Sequence, residues 1–449
     1  MLFIRLFFPR GFVILVGIEV YTEAFAMLSA LRKNKIAVLV LTGVLAFALC
    51  ACSGGTDAGT VPVDEAPAAA AADTSAADVP AELAADGETA EWTVLGQRVD
   101  AETEALDLRG ITPQDVDAVL AVLPKLTALK TAALGTEAEC ALSWGDIARL
   151  VQAREDVDFD YTFSFYGKPF TLLDWKVDIN HVAVSDGGAL ARQIIPCMKN
   201  LSFLDMDSCG VSNESMAALR DEFPDVKVVW RIWFGDFYSV RTNTPKILAS
   251  KPSVGGLLRD SDVQVLKYCT DVLYLDLGHN EIITDISFAA YMPKLRVAIL
   301  AMNMVTDLTP LASCPKLEYL EIQTNPYITD LSPLAACTEL EHLNVSNCRG
   351  FDDITPILGL NKLKRFWLGC SAPVPEEQKE EFARLHPDCE FNTTVWSDPT
   401  SEGWRIDHVD PWTNEVFYDE RYELLLAQFG YLENAYSFIS NDPLYYPHD

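Results

Sequence analysis

Positive charge and histidine are scarce in this sequence. Against 65 Asp and Glu there are 34 Lys and Arg, giving a formal net charge of -31. A nucleic-acid backbone is held by clustered Lys and Arg, so no nucleic-acid partner is expected. The histidines are His181, His279, His342, His386, His408 and His448, and none forms a closely spaced metal-binding pair. Gly-x-Ser-x-Gly is absent, as is a phosphate-cradling glycine loop. The expectation is a protein without catalysis, metal or cofactor. Acidic pairs are common by number alone. Asp205 and Asp207 alternate on one candidate strand and offer either a cation or sugar site or, more plainly, a solvated face. The N-terminal apolar run Ile36 to Leu49 is about 14 residues, short of the ~20 a membrane span requires.

What is present begins with that run. Arg32, Lys33 and Lys35 precede it, and Leu49-Cys50-Ala51-Cys52 follows it. A basic start, a short apolar stretch and a small residue before the cut describe an export signal, the alternative being a plain transmembrane anchor. The Leu-x-Ala-Cys ending resembles a bacterial lipoprotein signal, which implies Cys52 as the lipidated residue. Cys50 fits worse, because bulky Leu49 precedes it. Residues 1–52 are therefore read as the signal region. Met27 is the expected true start, since Met27 to Lys35 opens a cleaner signal than residues 1–26, which hold Glu19 and Glu23. Residues 53–90 are acidic, alanine-rich and free of Lys and Arg, and they lack the large apolar residues of a core. A disordered tether is expected there.

A repeat dominates the middle of the chain. The pattern Leu-x-x-Leu-x-Leu-x-x-Asn is met by Val272/Leu275/Leu277/Asn280 and Leu295/Ala298/Leu300/Asn303. It recurs in Leu317/Leu320/Ile322/Asn325, Leu340/Leu343/Val345/Cys348 and Leu363/Phe366/Leu368/Ser371, at steps of 23, 22, 23 and 23 residues. The first, fourth and sixth positions supply a buried strand edge, and the Asn satisfies backbone groups where the chain turns away. No single turn can bury its own apolar face, so stacking is compulsory. Between strands, Thr309-Pro310-Leu311, Ser332-Pro333-Leu334 and Thr355-Pro356-Ile357 read as short helical turns, capped by the Ser or Thr and started by the Pro.

Repeats of this length with a Thr-Asp-Leu-x-Pro-Leu element resemble the leucine-rich repeats of bacterial internalin-like proteins. Residues 90–449 as a whole resemble leucine-rich-repeat surface lipoproteins of Gram-positive bacteria, with no chemistry implied. The expected fold is α/β: a leucine-rich repeat solenoid, or horseshoe, with parallel strands on its concave face. Regular repeats and an end cap are assigned to 261–391, with a helix at Glu376–Leu385 and a last strand at Cys389–Phe391. Irregular repeats are assigned to 91–260, including Leu106–Leu108, a helix at Asp115–Leu123, Leu201–Met206 and a helix at Met216–Phe223. The segments Asp156–Phe163 and Asp225–Ile232 resemble each other 69 residues apart and lead into Gly167 and Gly235, so hairpin-like excursions are expected at 157–180 and 226–247. A separate α/β domain is the alternative for this upstream part.

Residues 392–449 are rich in aromatics, Trp404 and Trp412 among them, and are read as an extension packing on the solenoid or as an aromatic binding surface. Alternate strand positions form columns on the concave face. Tyr274, Tyr319, His342 and Arg365 stand in one column and Asp276, Glu321, Asn344 and Trp367 in the next. Exposed Tyr, Trp and Arg are what recognition hot spots use, so these eight residues are the candidate ligand-binding set. Cys269, Cys314 and Cys337 fall three residues before a repeat's first strand position, a stacked slot in which free thiols are preferred over a Cys314–Cys337 disulfide. The functional expectation is a cell-surface lipoprotein. It would sit on the extracellular face of the cell membrane by its lipid anchor and bind a protein, peptide or glycan. The alternative is a structural or assembly component of the envelope acting through its aromatic C-terminal extension.

Overall fold

The computed structural model describes residues 90–236, 238–250, 257–371, 373–394, 404–413, 416–418 and 425. The chain divides into two units, 1–85 and 86–449, and the second holds the repeats. The signal region, Cys52 and the tether lie outside the described residues, apart from Ala90.

The regular repeats build one seven-stranded parallel sheet. Its strands are Lys246–Leu248, Tyr274–Asp276, Val297–Ile299, Tyr319–Glu321, His342–Asn344, Arg365–Trp367 and Glu390–Asn392, each paired with the next in sequence. Leu275, Ala298, Leu320, Leu343 and Phe366 pair in register and are buried in the core. Just past each of the five middle strands one residue takes a left-handed conformation: His279, Met302, Thr324, Asn347 and Cys370, all with φ between 54° and 60°. That twist turns the chain out of the sheet and aims the next side chain back inside.

The side chain so aimed plays the role expected of the Asn position. Asn325 Nδ2 donates to Leu300 O of the preceding turn (3.0 Å) and to Ile322 O (2.8 Å), while its Oδ1 accepts from Val305 N (2.9 Å). Asn303 Nδ2 donates to Leu277 O at 2.9 Å. Where the Asn is replaced, the bond to the preceding turn survives: Cys348 Sγ to Ile322 O at 3.2 Å and Ser371 Oγ to Val345 O at 2.7 Å. Asn325→Ala leaves the buried Val305 N–H without its acceptor and takes one donor each from Leu300 O and Ile322 O, and is expected to cost about 2 kcal/mol. A urea midpoint unchanged from the parent would contradict this role.

The short turns between strands are 3₁₀ helices, at Ser287–Tyr291, Thr309–Ser313, Ser332–Ala336 and Thr355–Ile357. The expected capping residue needs correction. The Ser or Thr side chain does not cap the turn. The Asp two residues earlier accepts its backbone N–H instead: Asp307 from Thr309 N (2.8 Å), Asp330 from Ser332 N (2.7 Å) and Asp353 from Thr355 N (2.8 Å). A carboxylate is the stronger acceptor, and each of these Asp residues, two positions before the Ser or Thr, stands at the reach an Asx turn needs.

Upstream, the same scheme runs in longer turns. Strands Ala105–Asp107, Thr131–Thr136 and Asp158–Phe165 pair in parallel, and Lys168–Thr171 folds back antiparallel on the last. Lys176–Asp178, Phe203–Asp205 and Lys227–Val229 form a second parallel set, followed by the hairpin Arg231–Phe234/Tyr238–Arg241. Corresponding strands open at Ala105, Lys176 and Lys246, roughly 70 residues apart, about three turns of the short repeat. Each hairpin interrupts the sheet, which is why the parallel strands form separate sets. Gly167 takes φ +86° beside Tyr166 at +48°, the paired left-handed turn that joins two strands directly. Helices occupy Val116–Val122, Trp144–Ala153, Ala189–Ile194 and Asn213–Glu222, with Ser143 and Ser212 capping the second and fourth. One continuous core runs from Val94 to Phe382 through both parts. It ends under the cap, where Phe366 lies between Phe391 (5.3 Å) and Phe382 (5.0 Å) of the strand Glu390–Asn392 and the helix Glu376–Leu385. A hairpin of Trp92–Val94 and Gln97–Val99, which the repeat pattern does not show, precedes the first turn.

All nine cysteines among the described residues are free. Cys314 Sγ lies 3.4 Å from Ala289 O and Cys337 Sγ 3.4 Å from Leu311 O, so each thiol bonds the turn before it. Burial pushes the Cys314 thiol up to about 12 and that of Cys337 up to about 11. Cys370 is exposed. In the folded chain a thiol reagent is expected to modify Cys370 long before Cys314 or Cys337, as peptide mapping would show; equal rates would contradict the buried stack.

Candidate functional site

The parallel register assembles the two expected columns. Tyr274, Val297, Tyr319, His342 and Arg365 pair in succession, as do Asp276, Ile299, Glu321, Asn344 and Trp367. Their exposure is the correction. Asp276, Tyr319, Glu321, Asn344, Arg365 and Trp367 are buried, and only Tyr274 and His342 are half-buried. The reason is the chain itself: Trp404 and Leu425 pack on this face with Leu248, Val297, Ile299, Tyr319 and Trp367, a cluster distinct from the main core.

Glu321 is the centre of the contact. Its carboxylate accepts from Trp404 Nε1 (2.9 Å) and Arg405 Nε (2.9 Å), and also from Arg405 Nη2 and Tyr319 Oη. Gln323 Nε2 adds a longer bond at 3.3 Å. Burial pushes this carboxyl up, but the Arg405 guanidinium, with Tyr319 and Trp404 donating, outweighs it and holds Glu321 below the ordinary glutamate range.

The indole of Trp404 is enclosed. The Arg365 guanidinium lies over it at 4.7 Å, Trp367 is at 5.6 Å and Tyr319 at 5.8 Å. Arg365 Nη1 also donates to Trp404 O at 2.9 Å, while its Nη2 reaches Glu390 Oε1 at 3.1 Å. His342 leans on Tyr319 at 5.6 Å. Asp276 and Asn344 turn toward their own backbone, accepting from Gly278 N (2.9 Å) and Ser346 N (3.0 Å). The pattern therefore brings the eight residues onto one face. It misses Glu390, expected only as part of the last strand, and Trp404 and Arg405, whose only signal is the aromatic richness of the C-terminal part.

A second buried polar cluster also corrects the sequence reading. Asp205 and Asp207 are not a solvated face. Arg241 pairs with Asp205, and Arg231 forks onto Asp207 at 2.9 and 2.8 Å, both arginines coming from the hairpin after the third strand of that set. Burial pushes Asp207 up, but Arg231 outweighs it and holds the carboxyl low. Both acids are neutralised by the hairpin, which answers for them in place of a cation or sugar.

Among the described residues no group of three His, Cys, Asp or Glu is placed to hold a metal ion, and no helix is long and apolar enough to cross a membrane.

Known proteins resemble parts of this chain. The family described as leucine rich repeats (2 copies) matches residues 293–336. No curated protein matches. Among solved structures, an internalin from Listeria monocytogenes is similar over 63% of this chain, at 20% identity and a TM-score of 0.29. The chain spans 66% of that internalin's length. Internalin C2 of the same organism is similar at 17% identity and a TM-score of 0.28, over 64% of this chain and 93% of its own. A leucine-rich repeat protein of Leptospira interrogans is similar at 14% identity and 0.28, with the same coverages. The parallel register, the Asn, Cys and Ser bonds to each preceding turn and the matched repeats agree: this chain folds as a leucine-rich repeat solenoid.

Proposed function

We propose that this protein is a non-catalytic binding protein of the cell surface, tethered through a lipid on Cys52 and presenting the strand face around Glu321 to a protein, peptide or glycan. The observation that carries the reading is the chemistry of that face. Tyr319 and Glu321 on one strand and Arg365 and Trp367 on the next but one engage the turn at Trp404–Arg405 through indole, guanidinium and main-chain contacts. Such anchors dominate recognition interfaces. The anchor rests on Leu49-Cys50-Ala51-Cys52, and the acidic stretch after it supplies the tether.

Two experiments test this. The mature N-terminus should carry a lipid on Cys52 by mass spectrometry, and Cys52→Ala should release the protein from membranes; an unmodified N-terminus overturns the anchor. For binding, the full chain with Trp404→Ala and Arg405→Ala should retain a saturable ligand from cell-surface or host extracts. Adding Tyr319→Ala, Arg365→Ala and Trp367→Ala should abolish retention, and undiminished retention overturns the reading.

A second reading has one observation of its own. Trp412 is 92% exposed in the turn between the strands Ile406–Val409 and Val416–Tyr418. An assembly role through this aromatic tip predicts that Trp412→Ala alone removes the protein from an envelope complex, with the strand face irrelevant.

A further inference from the structure

Glu321 has few partners in its own repeats. Among the described residues, only Tyr319 and Gln323 donate to it from within the sheet. The remaining donors come from two consecutive residues, Trp404 and Arg405, more than 80 positions downstream. A buried carboxylate without a cation is costly, so the face is built around a cation that its own repeats do not supply. The surroundings select more than charge. Tyr319, Trp367 and the Arg365 guanidinium enclose a flat indole, and Arg365 Nη1 reads the carbonyl of the same residue. Together these groups recognise an aromatic residue followed by arginine, presented at a turn.

The present occupant does not fill the seat's bonding capacity. Gln323 Oε1 and Ser346 Oγ, fully buried in the neighbouring column, have no hydrogen-bond partner among the described residues. A buried acceptor left empty is costly, because it gave up its bonds to water and gained none. The rest of that column, Gly278, Ala301 and Gly369, offers neither atom a polar side chain. A segment that evolved only as a permanent cover has no reason to bury these groups unmet.

We propose that the Glu321 seat is a recognition site for peptide segments carrying Trp-Arg, which residues 404–405 occupy in cis and which a partner segment of the same chemistry displaces, its further donor meeting Gln323 and Ser346. This rests on the binding reading above and names the ligand class. The occupied seat lowers the apparent affinity for any partner by the fraction of chains in which it is closed.

The probe is a fluorescein-labelled peptide of residues 401–407, Ser-Glu-Gly-Trp-Arg-Ile-Asp, titrated against the full mature chain. Trp404→Ala/Arg405→Ala is expected to bind it at least roughly 10-fold more tightly than the parent. Adding Glu321→Gln should weaken that binding by a similar factor, and peptides with Ala for Trp or Arg should fail. Equal binding to all three chains, or none to the double variant, overturns the proposal. Should the double variant fail to fold, the parent chain decides: saturating peptide should raise hydrogen exchange across 404–413 several-fold, and unchanged exchange overturns displacement. Failure here combined with ligand capture that Tyr319, Arg365 and Trp367 still control sinks the Trp-Arg assignment alone. Loss of capture sinks the binding reading itself.

Discussion

Glu321→Ala is expected to release the C-terminal segment from the strand face. The substitution removes the carboxylate that Trp404 Nε1 and the Arg405 fork address, on a face where Tyr319, Trp367 and Ile299 pack with Trp404. Breaking one side of a buried pair costs about 3–5 kcal/mol. Because the segment can leave for water, the loss falls on docking while the repeats stay folded. Trypsin reports it directly, since Arg405 is a cleavage site held by its own side chain. At about 3 kcal/mol the open population rises by more than roughly 100-fold, and cleavage after Arg405 should accelerate accordingly. An unchanged cleavage rate would show that Glu321 does not hold the segment. Acid should act in the same direction. The docked carboxyl titrates below its ordinary value, so its contribution is fully present above the unfolded value of about 4.3 and is lost as pH falls through the lower, docked one. Cleavage by an acid-active protease near this segment should therefore rise below about pH 4 in the parent and stay flat in Glu321→Ala.

Asp207→Ala should destabilise the solenoid as a whole. Asp207 and Arg231 are both nearly fully buried, and the pair ties a repeat strand to the hairpin that follows the set. Removing the acid leaves Arg231 with Ser239 Oγ at 3.3 Å and no carboxylate of its own among the described residues. Unlike the C-terminal segment, the hairpin cannot swing clear, because Ile232, Phe234 and Val240 belong to the main core. The expected cost is about 3–5 kcal/mol in urea unfolding. The pair of changes Asp207→Leu and Arg231→Met should recover most of it, since an apolar pair of similar volume carries no desolvated charge. A single variant within about 1 kcal/mol of the parent would show that the pair is idle.

These effects divide along the line between what is local and what is not. The repeat strands, the stacked thiols and the cap helix are written in residues 22 or 23 apart, and each turn touches mainly its neighbours. Leu320 has Ala298 and Leu343 beside it, and Asn325 bonds only its own turn and the one before. A period in sequence is then a contact in space. The capping Asp was equally local, but two acceptors stood within reach of the same N–H, and geometry rather than composition chose the carboxylate.

The sequence by itself thus determined the solenoid, its columns and its register, because stacking is the sole way such short turns bury their apolar edges. Tertiary structure alone decided what those columns face. Trp404 meets Glu321 across 83 positions and Arg241 meets Asp205 across 36, and neither interval is part of the repeat. A carboxylate, an indole and a guanidinium read the same in sequence whether water or a partner surrounds them. Their burial is a property of the fold, and it turns an expected open surface into an occupied seat.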